Sequence, residues 1–207
     1  MTTQPTVGAD PAARAGAACT RRRSKGGAML KNILLGLAAI VVVLIVVIAL
    51  QPASFRISRS ATMAAPPAVV FAQVNDFHKW AAWNPWQKLD PAAKNTYSGA
   101  AVGEGASFAW DGNSEVGAGR MTIIESRPND LIRVQLEFLR PMEATSTAEF
   151  TFRPSGAQTA VTWSMSGDNT FVGKAFSLFV DTDQMVGGQF EKGLADLRSV
   201  VETTAKN

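Results

Sequence analysis

The sequence holds one cysteine, one histidine and one tyrosine. Cys19 has no partner within the chain, so no intramolecular disulfide is possible. With His78 as the sole imidazole, cysteine and histidine metal clusters are excluded as well, and the redox compartment is left open. A basic surplus is missing from the part of the chain able to fold. Residues 1–50 carry six Lys and Arg against Asp10, a net of +5, while the total is +3, so the remainder sums to −2. A nucleic-acid surface on the folded part would need clustered cations there, so nucleic acid is not an expected partner. No phosphate loop, nucleophile elbow, zinc spacing or dinucleotide fingerprint occurs. The sequence therefore implies no cofactor, no metal and no catalytic residue. Asp111-Gly112-Asn113 has the opening of a calcium loop without its later ligands, and reads as a hairpin turn.

What is present begins with Ile33 to Leu50, an unbroken apolar run without charge. As a helix it would span roughly 27 Å, close to a hydrocarbon core of about 30 Å. A helix is the single-pass solution, because hydrocarbon offers the backbone no hydrogen-bond partners. A cleaved signal peptide is the alternative, although its apolar region is usually shorter. Arg21, Arg22, Arg23, Lys25 and Lys31 precede the run, and Arg56 and Arg59 follow it. This excess predicts a single-pass protein of the cell (inner) membrane, with a cytoplasmic N-terminus and an extracytoplasmic, periplasmic C-terminal domain. The expected organisation is a disordered basic tail over 1–28, an anchor over 29–50, a linker over 51–53 and a domain over 54–207. Translation starting at Met29 is an open alternative for the tail.

Beyond the linker, Ser54 to Met63 alternates as a first strand. Pro66-Pro67 opens a helix with Val70, Val74 and Phe77 at helical spacing. Residues 78–91, with Trp80, Trp83, Trp86, Pro85 and Pro91, read as irregular. Strand-like alternation follows over 94–99, 106–111, 117–126, 132–139, 147–152 and 161–166. Short turns between these segments imply an antiparallel meander with one dry face. Phe171, Ala175, Phe176 and Phe179 fall on one side of a short helix. Val186, Phe190, Leu194, Leu197 and Val201 form a stripe along a helix from about Asp183 to Thr203. Gly187, Gly188 and Gly193 leave two readings of that helix: close approach of backbone or ligand, or a helix well formed only after Gly188.

This order, and the strings Trp83-Asn84-Pro85-Trp86-Gln87-Lys88-Leu89-Asp90-Pro91, Thr162-Trp163-Ser164-Met165-Ser166-Gly167 and Asp183 to Leu194, resemble the SRPBCC (START-like, helix-grip) superfamily. The resemblance covers roughly residues 54–203 and is closest to its membrane-anchored polyketide cyclase/dehydrase and lipid transport members. It implies an α+β helix-grip fold: a curved antiparallel sheet wrapped around a long C-terminal helix, here preceded by a single transmembrane helix. Superfamily members bind lipids, polyketides, hormones or steroids, and a minority catalyse reactions. The paired-histidine iron site of the oxygenase members is absent.

The expected ligand-binding residues, lining a pocket between sheet and last helix, are Trp83, Trp86, Phe108, Trp110, Met121, Ile123, Val134, Leu136, Phe150, Trp163, Met165, Phe176, Phe179 and Phe190. Residues 171–182 are the expected lid. Each of these apolar residues taken singly also reads as core. His78 could act as a general acid or base, but no partner can be placed beside it from sequence. Three functions remain open at this point. The first is a tethered module binding or transferring an apolar small molecule or lipid. The second is a cyclase or dehydratase with a polar pair inside the pocket, and the third is an envelope interaction domain with a filled core.

Overall fold

A computed structural model of the chain describes residues 1–2 and 25–204. Cys19, the arginine cluster and most of the expected tail lie outside the described residues. The chain divides into two compact units, Met1–Ile45 and Val46–Asn207.

Helix α1 runs over Lys25–Leu50. It starts ahead of the expected anchor boundary at residue 29, running through Gly26 and Gly27 although each glycine costs about 1 kcal/mol relative to alanine in a helix. Met29–Leu50 is 22 residues long and exposed, and it is long and apolar enough to cross a membrane. A membrane anchor and a signal sequence both satisfy that description.

The second unit is built on one antiparallel sheet of seven strands in the order β1-β7-β6-β5-β4-β3-β2. These are β1 (Ser54–Met63), β2 (Lys94–Gly99), β3 (Ala106–Asp111), β4 (Ala118–Arg127), β5 (Leu131–Arg140), β6 (Ala144–Ser155) and β7 (Gln158–Asp168). Strands β2 to β7 pair with their sequence neighbours, and β1 closes onto β7 with Ser54 opposite Asp168. Alternation puts Phe150 and Phe152 of β6, and Val161 and Trp163 of β7, on one buried face. Helix α5 (Thr182–Thr204) covers that face with Phe190, Leu194, Leu197 and Val201. The result is the α+β helix-grip arrangement expected.

Residues 77–89 are more regular than expected. A 3-10 helix spans Phe77–Ala82 and α3 spans Pro85–Leu89. Each is started by a side chain that takes the place of a missing backbone partner. The Asp76 carboxylate accepts from His78 N at 3.0 Å, and the Asn84 side chain accepts from Trp86 N at 3.1 Å. Pro85 fits the first turn of α3 because its position needs no N–H donor. The same proline, read from sequence as a breaker, points to irregular structure instead. The turns bury Phe77, Trp80 and Trp83 against the sheet, and Trp80 Nε1 donates to Val74 O at 2.9 Å. Helix α2 (Pro67–Val74) precedes them.

Helix α5 is continuous from Thr182, which decides between the two readings of its glycines. Gly187 and Gly193 mark close approaches. A Cβ at Gly187 would stand 2.2 Å from Arg59 Nη2, and one at Gly193 would stand 2.8 Å from Trp163 Cζ3. Gly188 has open space around it. Arg59 reaches from β1 to donate to Asp183 Oδ2 at 2.7 Å and Glu191 Oε1 at 2.8 Å, tying strand to helix.

Candidate functional site

The sheet face and α5 do not close completely on each other. Between them, with α3 as a third wall, lies a cavity of about 290 Å³. Its inner wall is aromatic. Trp163 is sandwiched between Phe150 (ring centroids 4.8 Å apart) and Phe190 (4.3 Å), both stacked. Trp86 meets Trp163 edge-on at 5.8 Å. Offset and edge-to-face contacts of this kind add to plain burial.

Of the expected lining, Trp86, Phe108, Trp110, Met121, Leu136, Trp163, Met165 and Phe190 face the cavity. Trp83, Ile123, Val134 and Phe150 do not. They are fully or almost fully buried in the packed core behind it. Phe176 and Phe179 do not line it either. They belong to the segment around α4 (Phe171–Ser177), where no residue is buried, and Phe179 is 84% exposed. The helical pattern of the segment was legible, but an apolar helix face does not say whether protein covers it. Sequence reasoning missed Asn84, Gln87, Val186, Phe138, Arg140 and Ala148 as lining residues. The Asn-Pro-Trp-Gln string was the available signal for the first two.

Polar groups are few and sorted by depth. Asn95, Glu115 and Arg140, on β2, the β3–β4 turn and the end of β5, are exposed, and Asp90, on the α3–β2 connection, is half-buried. Arg140 is paired with Asp111. Asp90 Oδ2 accepts from Asn113 N at 2.8 Å, and its Oδ1 accepts from Ala92 N at 3.1 Å, so it holds two turns together. Deeper in, the polar lining consists of Asn84, Gln87 and the indole of Trp163. Asn84 is 4% exposed and its oxygen is committed to the α3 cap. Gln87 Nε2 and Trp163 Nε1 are buried without any hydrogen-bond partner. An unmatched buried donor costs about 1–3 kcal/mol. Cζ3 of Trp163 packs on Gly193, and Nε1 is across the ring from it, so the indole N–H points away from Gly193.

His78 lies elsewhere. Its ring stacks on Tyr97 at 4.1 Å, and Nδ1 is 3.1 Å from Asp76 Oδ1, on an exposed surface outside the cavity. Burial and the nearby Asp76 charge raise the pKa of the Tyr97 hydroxyl. Glu137, paired opposite Arg120 on the outer face, does not reach the cavity. Arrangements of three or more Cys, His, Asp or Glu able to hold a metal do not occur among the described residues.

A seven-stranded antiparallel sheet closed by a long C-terminal helix, with an apolar cavity between them, defines a helix-grip domain. Residues 54–202 match the family model described as polyketide cyclase / dehydrase and lipid transport, and the chain belongs to that family. Similar solved structures share the fold at low identity. Protein CV1439 from Chromobacterium violaceum is 16% identical, with 73% of this chain and 99% of that one covered and a TM-score of 0.52. The Aha1 dimer from Colwellia psychrerythraea is 16% identical, with 72% and 96% covered and a TM-score of 0.52. The di-domain ARO/CYC StfQ from the steffimycin biosynthetic pathway is 12% identical, with 74% and 52% covered and a TM-score of 0.54. A search of curated proteins returns no match.

Proposed function

We propose that this protein is a membrane-tethered binding or transfer module for an apolar small molecule held between the sheet and α5. The observation that carries the reading is the cavity itself: apolar walls, an aromatic back and, in its lining, the unpaired amide nitrogen of Gln87. Such a lining takes up an apolar body by excluding water and orients it through one acceptor oxygen. A volume of about 290 Å³ falls just below the usual range of ligand pockets, about 300 to 1,000 Å³. It suits a single acyl chain or a compact ring system and is too small for a two-chain phospholipid. The exposed apolar helix Met29–Leu50 supports tethering, and the basic residues ahead of it support a cytoplasmic N-terminus with the domain exported.

A cyclase or dehydratase would need an acid and a base beside the buried part of a substrate. The titratable groups of the lining are the exposed Glu115 and Arg140 and the half-buried Asp90, whose two oxygens are taken by backbone N–H groups, so binding is favoured over catalysis. A filled interaction domain is disfavoured by the cavity.

Native mass spectrometry on residues 51–207, purified from the host envelope without detergent, tests the reading. One apolar adduct per chain is expected, to be extracted and identified. A bare mass that stays bare after exposure to single-chain lipids and polyketide-like ring compounds would reject it.

A further inference from the structure

The strand registers place several features at one end of the sheet. Ser54 pairs with Asp168, Phe138 with Ala144, Ala118 with both Arg140 and Asp111, and Asp111 with Lys94. The start of β1, the β5–β6 turn, the end of β7 leading into α4, and the cavity-lining residues Val116, Gly117, Arg140 and Pro141, of which Arg140 and Pro141 are exposed, therefore share that end.

The same end carries exposed large apolar side chains. Leu139 and Met142, at the β5–β6 turn, are 59% and 53% exposed, and Phe171, Val172, Phe176 and Phe179 are exposed beyond β7. Leu139 follows the inward Phe138 and so faces outward by alternation, and the register shift that pairs Ala118 with Arg140 and Gly119 with Phe138 leaves it unpaired. Helix α4 is held by its own cap, with Gly173 N donating to Thr170 Oγ1 at 3.1 Å, and buries none of its side chains. Water is a poor environment for such a surface.

The chain enters the domain here too. Only Gln51, Pro52 and Ala53 separate Leu50 from Ser54, and Asn169 N donates to Ala53 O at 2.8 Å, fixing the entry beside the end of β7. Four residue steps reach at most about 14 Å. A bilayer crossed by the preceding helix is thus within a short tether of this end of the sheet.

We infer that the β5–β6 turn and the α4 segment form a surface that dips into the outer layer of the bilayer, so that the cavity mouth opens beside lipid and its ligand exchanges without crossing bulk water. This rests on the tether reading above. The attraction is apolar rather than electrostatic. The charged residues of these segments, beyond the paired Arg140, are Lys174 against Glu143, Asp168 and Asp181, a balance that offers nothing to anionic headgroups.

The test uses the full chain, with Cys19→Ser, reconstituted in phosphatidylcholine vesicles. A nitroxide is attached at Phe179→Cys or, as the control, at Gly156→Cys in the β6–β7 turn at the far end of the sheet. Oxygen collects in lipid and a nickel chelate stays in water. The oxygen-to-nickel collision ratio should be about tenfold or more higher at 179 than at 156. It should be unchanged by 1 M salt or added anionic lipid. With the label moved to Ser177→Cys, the double change Phe171→Ser and Phe176→Ser should lower the ratio toward the aqueous value. Because neither phenylalanine is buried, circular dichroism should be unchanged. Equal ratios at 179 and 156 would overturn the inference, as would immersion that high salt abolishes. Spin–spin broadening at 179 that persists in detergent would also overturn it, since a second copy would then cover the face. An immersed label on a protein that binds no ligand would reject the carrier reading alone. A loaded protein with label 179 in water would reject this inference alone.

Discussion

The benzo edge of Trp163 rests on the backbone of Gly193, where a Cβ would stand 2.8 Å from Cζ3 of the indole and 3.0 Å from Cδ of Pro85. That packing sets the spacing of α5 from β7 at the back of the cavity. Both neighbours are rigid rings that cannot yield as a flexible chain end would.

Gly193→Ala should therefore destabilise the domain. Overpacking costs about 1–3 kcal/mol, against a gain of about 1 kcal/mol in helix propensity, so a net loss on the order of 1 kcal/mol is expected. Gly188→Ala, on the same helix with open space around it, should stabilise by up to about 1 kcal/mol. Urea denaturation of both variants checks the pair. Equal shifts of the same sign would contradict the packing account.

Asp183 should make stability fall in acid. The hydrogen bonds from Arg59 hold its carboxyl below the ordinary value of 3.8. A depressed folded-state value contributes stability that is complete above the unfolded value and is lost as pH falls through the folded one. Arg59 stays charged throughout. In urea midpoints, Asp183→Asn should be less stable than the parent at pH 6, with the difference shrinking below about pH 4. A difference independent of pH would mean that the pair contributes nothing.

Filling the cavity should abolish binding without unfolding the protein. Ala148 is 4% exposed and lines the space. Ala148→Leu places its added carbons there, so an apolar fluorophore should bind at least about tenfold more weakly while the unfolding midpoint holds or rises. Undiminished uptake would place the fluorophore elsewhere, with the exposed α4 face the first alternative.

Gln87 separates the cost of an empty site from the affinity of a filled one. Its Nε2 is buried without a partner, so Gln87→Leu should leave the ligand-free domain equally or more stable, since an unmatched donor is removed. Affinity for a ligand bearing an acceptor oxygen should fall about five- to tenfold, the worth of one hydrogen bond. Affinity for a plain hydrocarbon should not fall. A variant that loses both equally would show Gln87 acting only as packing.

Much of the fold was legible because strands and helices have fixed periods. Ile132 and Val134 on β5, Phe150 and Phe152 on β6, and the stripe from Phe190 to Val201 on α5 announce which face is dry. The 3-10 helix and α3 were hidden. Their formation turns on Asp76 and Asn84 capping short turns that bury Trp80 and Trp83, and five or six residues are too few to show a period. The outward direction of Leu139 follows from alternation, but the register shift that leaves it unpaired was equally invisible, since it belongs to the pairing of two strands and not to either one.

The sequence by itself determined the kind of protein this is: an apolar N-terminal helix, an alternating antiparallel sheet and one striped helix to cover it. These follow from the local order of apolar and polar residues. Only the tertiary structure decided that Trp163 and Met165 border a cavity while Phe150 and Val134 lie in the packed core behind it, and that Phe176 and Phe179 face outward. Alternation tells a side chain which face of a sheet it takes. A cavity is the volume that facing side chains fail to fill, and that depends on how closely α5 approaches β7 across Gly193 and β1 across Gly187.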